Sequence, residues 1–264
     1  LLHPLTIPAF PVLAGAAARW FPTHAQRIAT PSLGIATVAA LAIYLLTPEH
    51  APSLLTHFDA LAVTMTLLVA FLGTMVLRFA TRYLEGDSER SRFLSWMCFT
   101  LASVLTLMTS NHLLLLLAAW TTTSLCLHKL LLYNAHRVGA IYAARKKFVF
   151  SRVAEACLFV AALMLYAGHD TLRIDALSAS IASGNHAGLP TAAFLLVFCA
   201  MLKSAQFPFH SWLPDTMDTP TPTSALMHAG IVNAGGFLIL RLAPVFSATP
   251  GALYLLATVG TITA

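Results

Sequence analysis

The stretch 203–230, KSAQFPFHSWLPDTMDTPTPTSALMHAG, decides how this chain folds. Four prolines interrupt any continuous helix within it. They are Pro208, Pro214, Pro220 and Pro222. Apolar runs near 190–206 and 222–246 nevertheless flank the stretch closely. Because broken backbone at membrane depth persists only where protein or water satisfies its polar groups, the stretch predicts a discontinuous helix inside a membrane bundle. Helices of this kind line ion pathways in transporters.

The composition supports a membrane location for the whole chain. Of its 264 residues, 58% are hydrophobic and 9% are charged, and the mean hydropathy is +0.78. A soluble domain carries about a quarter charged residues, enough to cover a surface that faces water. The apolar runs are continuous and rich in Leu and Ala, not alternating as in a barrel strand. The sequence therefore predicts an all-α, polytopic transmembrane helix bundle.

Eight apolar spans and part of a ninth are predicted. They run near 1–18, 32–47, 58–79, 93–110, 112–133, 148–168, 190–206, 222–246 and 251–264. We group them into three units. These are an N-terminal unit over 1–92, a second over 93–246 with spans four to eight, and the start of a ninth helix over 247–264. The chain lacks an initiator methionine and ends within an apolar run, so we expect a piece of a longer protein.

The polar segments between the spans predict an orientation. Ten of the fifteen basic residues fall in what we predict to be the odd-numbered loops. They are Arg19, Arg27, Arg78, Arg82, Arg90, Arg92, Arg137, Arg145, Lys146 and Lys147. By the positive-inside rule these loops face the cytoplasm of a bacterial inner membrane, and the N-terminus faces outward. The polar stretch 169–189 predicts an outer loop, with an interfacial helix over Leu172–Ile181.

Charges inside spans are the candidates for function, because a charge at the bilayer centre costs about 3 kcal/mol. Lys203 ends an otherwise apolar run. It either extends to a nearby interface or is buried, where the charged form is disfavoured and a proton can be exchanged. His228 shares a predicted helix with Asn233 and Gly235. It is either a core residue or a proton relay, since imidazole titrates near neutrality.

Arg152 and Glu155 are spaced so that they can pair on one helix face. Either they form a structural ion pair, or Glu155 pairs with Lys203 and controls its proton. Three further polar residues lie in the broken stretch, namely His210, Asp215 and Asp218. The two aspartates either cap the helix that follows or take part in the pathway.

Other chemistries have little support in the sequence. Nucleotide-binding, metalloprotease and hydrolase motifs are absent. Cysteines lie singly within apolar runs and read as buried small residues, at Cys98, Cys126, Cys157 and Cys199. Histidines are scattered without metal-ligand spacing, at His112, His128, His136, His169 and His186. The basic residues form no patch that would suit nucleic acid. We expect no cofactor and no metal in this chain, and no catalytic activity of its own.

The stretch 203–230 resembles the antiporter-like subunits of respiratory complex I and of Mrp cation/proton antiporters. The likeness extends to Phe58–Ala62, Trp120 and Lys147–Glu155. It implies that Lys203 is the central proton-carrying lysine, that His228 is a relay histidine, and that Arg152 and Glu155 form the basic–acidic pattern of span six. It also implies a fold of two inverted five-helix repeats, of which this chain would contain the first.

One departure from that family is visible. Complex I subunits carry a glutamate directly after the tryptophan of span five, where this chain has Thr121. No carboxylate occurs in the span, so Glu155 is the candidate to replace it. Lys129 and Thr121 are secondary candidates, and the alternative role of Lys129 is that of an anchor at the membrane surface.

Three segments point to a subfamily, namely Ser124–Leu131, Ala143–Phe148 and His228–Leu238. They resemble DabB, the membrane subunit of DabA–DabB inorganic-carbon accumulation complexes. That resemblance implies an ion-conducting subunit that energises a DabA-like soluble zinc partner, with the zinc held by the partner. The alternative is a proton-translocating subunit of an NADH–quinone oxidoreductase or an Mrp-type antiporter. The missing glutamate counts against this alternative.

Overall fold

The computed structural model describes residues 4–21, 25–46, 53–134 and 137–264. In these ranges the chain forms twelve α-helices. They are α1 Thr6–Trp20, α2 Ala25–Leu46, α3 Ala60–Tyr83, α4 Arg90–Thr109, α5 Leu113–Leu131, α6 Val138–His169, α7 Ile174–Ala182, α8 Leu189–Lys203, α9 Thr221–Leu226, α10 Ala234–Arg241, α11 Ala243–Ser247 and α12 Pro250–Thr263. The outermost residues of the predicted first two spans, 1–3 and 47, lie outside the described residues.

The predicted all-α polytopic bundle is confirmed. Four helices, α3 to α6, are long and apolar enough to cross a membrane. Three shorter apolar segments accompany them, namely Ile28–Ile43, Leu189–Lys203 and Pro250–Thr263. The cysteines are free thiols, and all but the half-buried Cys157 are buried, as expected for small apolar residues.

Helix α6 begins earlier than predicted. It starts at Val138 rather than near 148, so Arg145, Lys146 and Lys147 lie inside the helix and not in a loop. The physical reason is a helical stripe of small residues, since Ala140, Ala144 and their neighbours continue the buried face backwards along the chain. The correction removes these three cations from the predicted loop, and the orientation of the chain stays a prediction.

The predicted break after Lys203 is confirmed, and the span after it is more broken than predicted. Two 3₁₀ turns, Phe209–Trp212 and Pro214–Asp218, fill the break. Where one span over 222–246 was predicted, α9 runs into a π-helical turn, Met227–Ile231, and then into α10 and α11. The interfacial helix predicted over 172–181 corresponds to α7.

Two contacts fix the end of α8, where Lys203 lies. The indole Nε1 of Trp212 donates to the carbonyl oxygen of Leu202 at 3.1 Å, which satisfies one of the free carbonyls of the last turn. On another side, a Cβ at Gly235 would lie 2.8 Å from the carbonyl oxygen of Ala200 and would also meet the Ser204 side chain. Only glycine therefore lets α10 approach α8 this closely.

Candidate functional site

Lys203 is a buried lysine in the last turn of α8, with 3% of its surface exposed. Its Nζ donates to Oγ of Ser124 on α5 at 3.0 Å. The same ammonium lies 4.8 Å from the ring centroid of Trp120, one turn earlier on α5. This distance allows a cation–π contact. The alternative in which Lys203 extends to an interface is wrong, because the side chain is enclosed by protein.

A second buried lysine, which was predicted to lie in a loop, bonds the same serine. Lys147 on α6 is 2% exposed, and its Nζ donates to the backbone carbonyl oxygen of Ser124 at 3.0 Å. Ammonium groups from α6 and α8 thus both bond Ser124, a residue of α5. We call Trp120, Ser124, Lys147 and Lys203 the lysine site.

The lysine site is short of negative charge. Neither lysine forms an ion pair within 4.0 Å in the described parts of the chain. Glu155 is close enough to act electrostatically on both lysines, but its carboxylate bonds the guanidinium of Arg152 at 2.8 Å. Burying an unpaired charge is costly, so two ammonium groups with a single shared carboxylate nearby favour a state in which one lysine is neutral.

The predicted pair of Arg152 and Glu155 forms. Glu155 is buried, whereas Arg152 is half-buried and stacks over the ring of Phe148, 4.9 Å from its centroid. Both interpretations of the pair are compatible with this arrangement, because Glu155 bonds Arg152 and also acts on the lysines. Arg152 and Glu155 are close enough to Lys203 to act on it electrostatically, and the roles of the three residues stay predictions.

The broken stretch is tied to α6 by a neighbouring lysine. Lys146 bonds the carboxylate of Asp215 at 2.7 Å and the carbonyl oxygen of Ser211 at 3.1 Å. Asp215 is therefore an ion-pair partner and not the cap of α9, which begins at Thr221 without a side-chain cap. The other predicted residues of the break divide by exposure. Pro208, His210 and Pro214 are exposed, Pro220 and Pro222 are buried, and the side chain of Asp218 lies outside the described residues.

Three predicted residues lie apart from the lysine site. His228 is exposed in the π-helical turn, and no contact with Lys203 is found among the described residues. Thr121 is half-buried one residue after Trp120, and Ser124 rather than Thr121 meets the lysines. Lys129 is exposed near the end of α5 and lines a surface cavity with Glu89 and Arg92. Their roles stay predictions.

A second polar cluster lies where the loops before α3, α5 and α7 meet α10. Arg241 bonds the carboxylate of Asp59 at 2.8 Å and the carbonyl oxygens of His57 and Ser110 at 3.2 and 3.1 Å. Asp59 also caps α3 by accepting the amide of Ala62 at 2.9 Å.

Asn111 continues this cluster. Its Nδ2 donates to the carbonyl oxygen of Ser53 at 2.8 Å and to Asp175 at 3.1 Å. Asp175 also pairs with Arg173. We call Asp59, Asn111, Arg173, Asp175 and Arg241 the Arg241 network.

A bundle of membrane-length helices with a basic cluster buried beside a broken helix defines an integral membrane protein with the features of an ion pathway. The particular family follows from comparison with known proteins. Residues 110–264 match the transmembrane family "NADH:quinone oxidoreductase/Mrp antiporter", and residues 48–94 match the N-terminus of chain 5 of NADH-ubiquinone oxidoreductase (complex I). The chain belongs to this antiporter-like family, as its sequence predicted.

Individual relatives show which members of the family this chain is similar to. A probable inorganic carbon transporter subunit DabB of Hydrogenovibrio crunogenus is 41% identical over 208 residues, which cover 77% of this chain and 40% of the relative. NADH-quinone oxidoreductase subunit L of Mycobacterium tuberculosis is 33% identical over 208 residues, covering 78% of this chain and 33% of the relative. The chain thus spans less than half the length of these relatives.

A solved structure shows the same fold. The Mrp complex from a Dietzia species contains a chain that superposes with a TM-score of 0.87 at 27% identity. The match covers 98% of this chain and 30% of that one.

Proposed function

We propose that the chain is part of a proton-conducting membrane subunit that energises the accumulation of CO2 or bicarbonate with a DabA-like, zinc-containing soluble partner. The observation that carries the proposal is the meeting of Lys147 and Lys203 on Ser124, with no carboxylate of the described residues bonded to either lysine. Charges buried at membrane depth generally serve a pathway.

The geometry supports proton exchange between the two lysines. The Ser124 hydroxyl accepts from Lys203 and can donate its own hydrogen, because a hydroxyl is both donor and acceptor. In the proposed exchange the hydroxyl takes a proton from Lys203 and passes its own hydrogen to the neutral amine of Lys147, which bonds the backbone carbonyl oxygen of the same serine. A carboxylate close to a lysine stabilises the ammonium form, so motion of the Glu155 carboxylate toward or away from the lysines would change how firmly the proton is held.

The carbon-accumulation role rests on likeness to relatives named as DabB. It also draws on the absence of a carboxylate at Thr121, where complex I subunits carry one. The similarity of fold to an Mrp complex supports a second candidate, a subunit of a cation/proton antiporter or of a quinone-reducing complex. In either case we propose an inner-membrane location with the N-terminus outward.

The full-length protein tests the proposal. Lys203→Ala is expected to abolish proton flux and carbon uptake while the protein still inserts into the membrane. Arg145→Ala removes an exposed cation from α6 and serves as the matched control. Unchanged carbon uptake in Lys203→Ala would contradict the pathway. Co-purification with a large zinc protein would support the carbon role, whereas flavin and iron–sulfur subunits would support the second candidate.

A further inference from the structure

His128 lies on α5 one helical turn beyond Ser124, so both residues belong to the same face of the helix. Its imidazole is half-buried, and its centroid lies 5.0 Å from that of the Phe148 ring on α6. The imidazole also lies at the backbone carbonyl of Ala144, one turn before Phe148. The histidine therefore occupies the seam between α5 and α6 that leads to the lysine site.

The helix backbone brings His128 next to Lys147. In a regular α-helix the carbonyl of Ser124 accepts the amide of the residue four positions later, which is His128. The same carbonyl accepts the Lys147 ammonium at 3.0 Å. Lys147 and Arg152 from α6 and Lys129 from α5 are the charged groups that act on the imidazole. Within the described residues, a cationic seam thus connects His128 to the lysine site.

One ring nitrogen of His128 is left without a partner. Its Nδ1 is buried and has no hydrogen bond to any described residue, and a buried polar atom without a partner is unfavourable. The residue as a whole is half-buried, so part of it is exposed while this nitrogen is enclosed.

We propose that His128 is a proton-uptake residue that feeds the lysine site from the end of the bundle where α5 stops, near Leu131. The imidazole takes a proton from water, and the imidazolium then releases one to the neutral amine of Lys147, which becomes an ammonium. Imidazole suits this step because it has two ring nitrogens, so it can accept a proton on one and release one from the other. The inference rests on the proposed function.

The test measures proton flux by full-length protein in lipid vesicles that enclose a pH-sensitive dye. His128→Gln keeps a side-chain donor but cannot titrate, and His128→Phe keeps the packing on Phe148. Both variants are expected to slow proton flux by roughly ten-fold or more, in keeping with the loss of a positioned proton-transfer group. Millimolar imidazole is expected to restore part of the flux in His128→Ala, because it can occupy the space that the ring leaves.

The outcomes separate this inference from the proposed function. Wild-type flux and pH profile in His128→Gln or His128→Phe, with Lys203→Ala inactive, would overturn the role of His128 and leave the pathway in place. Normal flux in Lys203→Ala would instead overturn the proposed function itself. His112→Gln is the matched control, since His112 caps the opposite end of the same helix.

Discussion

The lysine site and the Arg241 network both bury cations, but they compensate the charge differently. Arg241 bonds one carboxylate and two carbonyl oxygens through its two terminal nitrogens, so its charge is paired with a carboxylate. Within the part of the chain that the structure describes, Lys147 and Lys203 each bond a single oxygen, and both oxygens belong to Ser124. A guanidinium bonded to a carboxylate and two carbonyl oxygens, which does not deprotonate in proteins, holds structure together. An ammonium with one neutral acceptor holds its proton loosely and is suited to release it.

The strongest way to break this comparison is to remove a lysine from the lysine site. Lys147→Met is expected to reduce proton flux by about 100-fold, because a positioned proton carrier is lost. Its thermal midpoint in detergent is expected to stay the same or to rise, since methionine fills similar space without a buried charge. Flux in lipid vesicles and thermal unfolding provide the two readouts. Arg145→Met is the exposed control on the same helix. A large loss of stability in Lys147→Met would show that the lysine is structural.

The opposite result is expected in the Arg241 network. Arg241→Gln leaves Asp59 and two carbonyl oxygens without their donor, and a buried acceptor left unsatisfied costs about 1–3 kcal/mol. The variant should therefore unfold at lower temperature, while the protein that remains folded conducts protons at the normal rate. Thermal unfolding and flux per folded molecule measure this. Arg19→Gln, an exposed arginine in the last turn of α1, is the control. Unchanged stability in Arg241→Gln would contradict the structural role of Arg241, and with it the contrast between the Arg241 network and the lysine site.

The sequence predicted one half of the lysine site and missed the other for a clear physical reason. Lys203 was found because one charge ends a long apolar run. Lys147 was missed because it follows two other basic residues, which is typical of a loop. The signal that could have found it is helical periodicity, since Lys147, Ser151, Ala154 and Leu158 lie on one buried face of α6. The exposed position of His228 could not be predicted, because it depends on how the π-helical turn orients that side chain.

A smaller effect on proton flux is expected from a change at Glu155. This residue forms an ion pair, as Arg241 does, and it also belongs to the surroundings of the lysine site. It is paired with Arg152, yet it also acts on both lysines. Glu155→Gln removes the carboxylate that favours the protonated lysines, so the pH profile of proton flux should shift toward acid. Flux measured from pH 5 to pH 9 tests this, with Glu85→Gln as the exposed control. An unchanged profile would return Arg152 and Glu155 to a purely structural role.

The smallest effect is expected at Asp175, outside the membrane-length helices. Burial raises the pKa of this carboxyl group, but hydrogen bonds from Arg173, the Ala176 amide and Asn111 outweigh burial, so the pKa is lowered overall. A lowered pKa in the folded state contributes stability that is present above the unfolded value, about 3.9, and that is lost as the pH falls through the folded value. Asp175→Asn should therefore be less stable than the wild type at neutral pH.

The difference in stability between the wild type and Asp175→Asn should shrink below about pH 4. The wild-type carboxyl group is then protonated and uncharged, like the amide of the variant. Thermal midpoints at pH 7 and pH 3.5 measure it, and Asp170→Asn is a nearby carboxylate control. If the stability difference persisted unchanged in acid, Asp175 would be acting through its shape and not through its charge. The carboxylate charge of Asp175 would then add no stability to the Arg241 network. The proposed contrast with the lysine site, whose lysines lack a bonded carboxylate among the described residues, would lose this support.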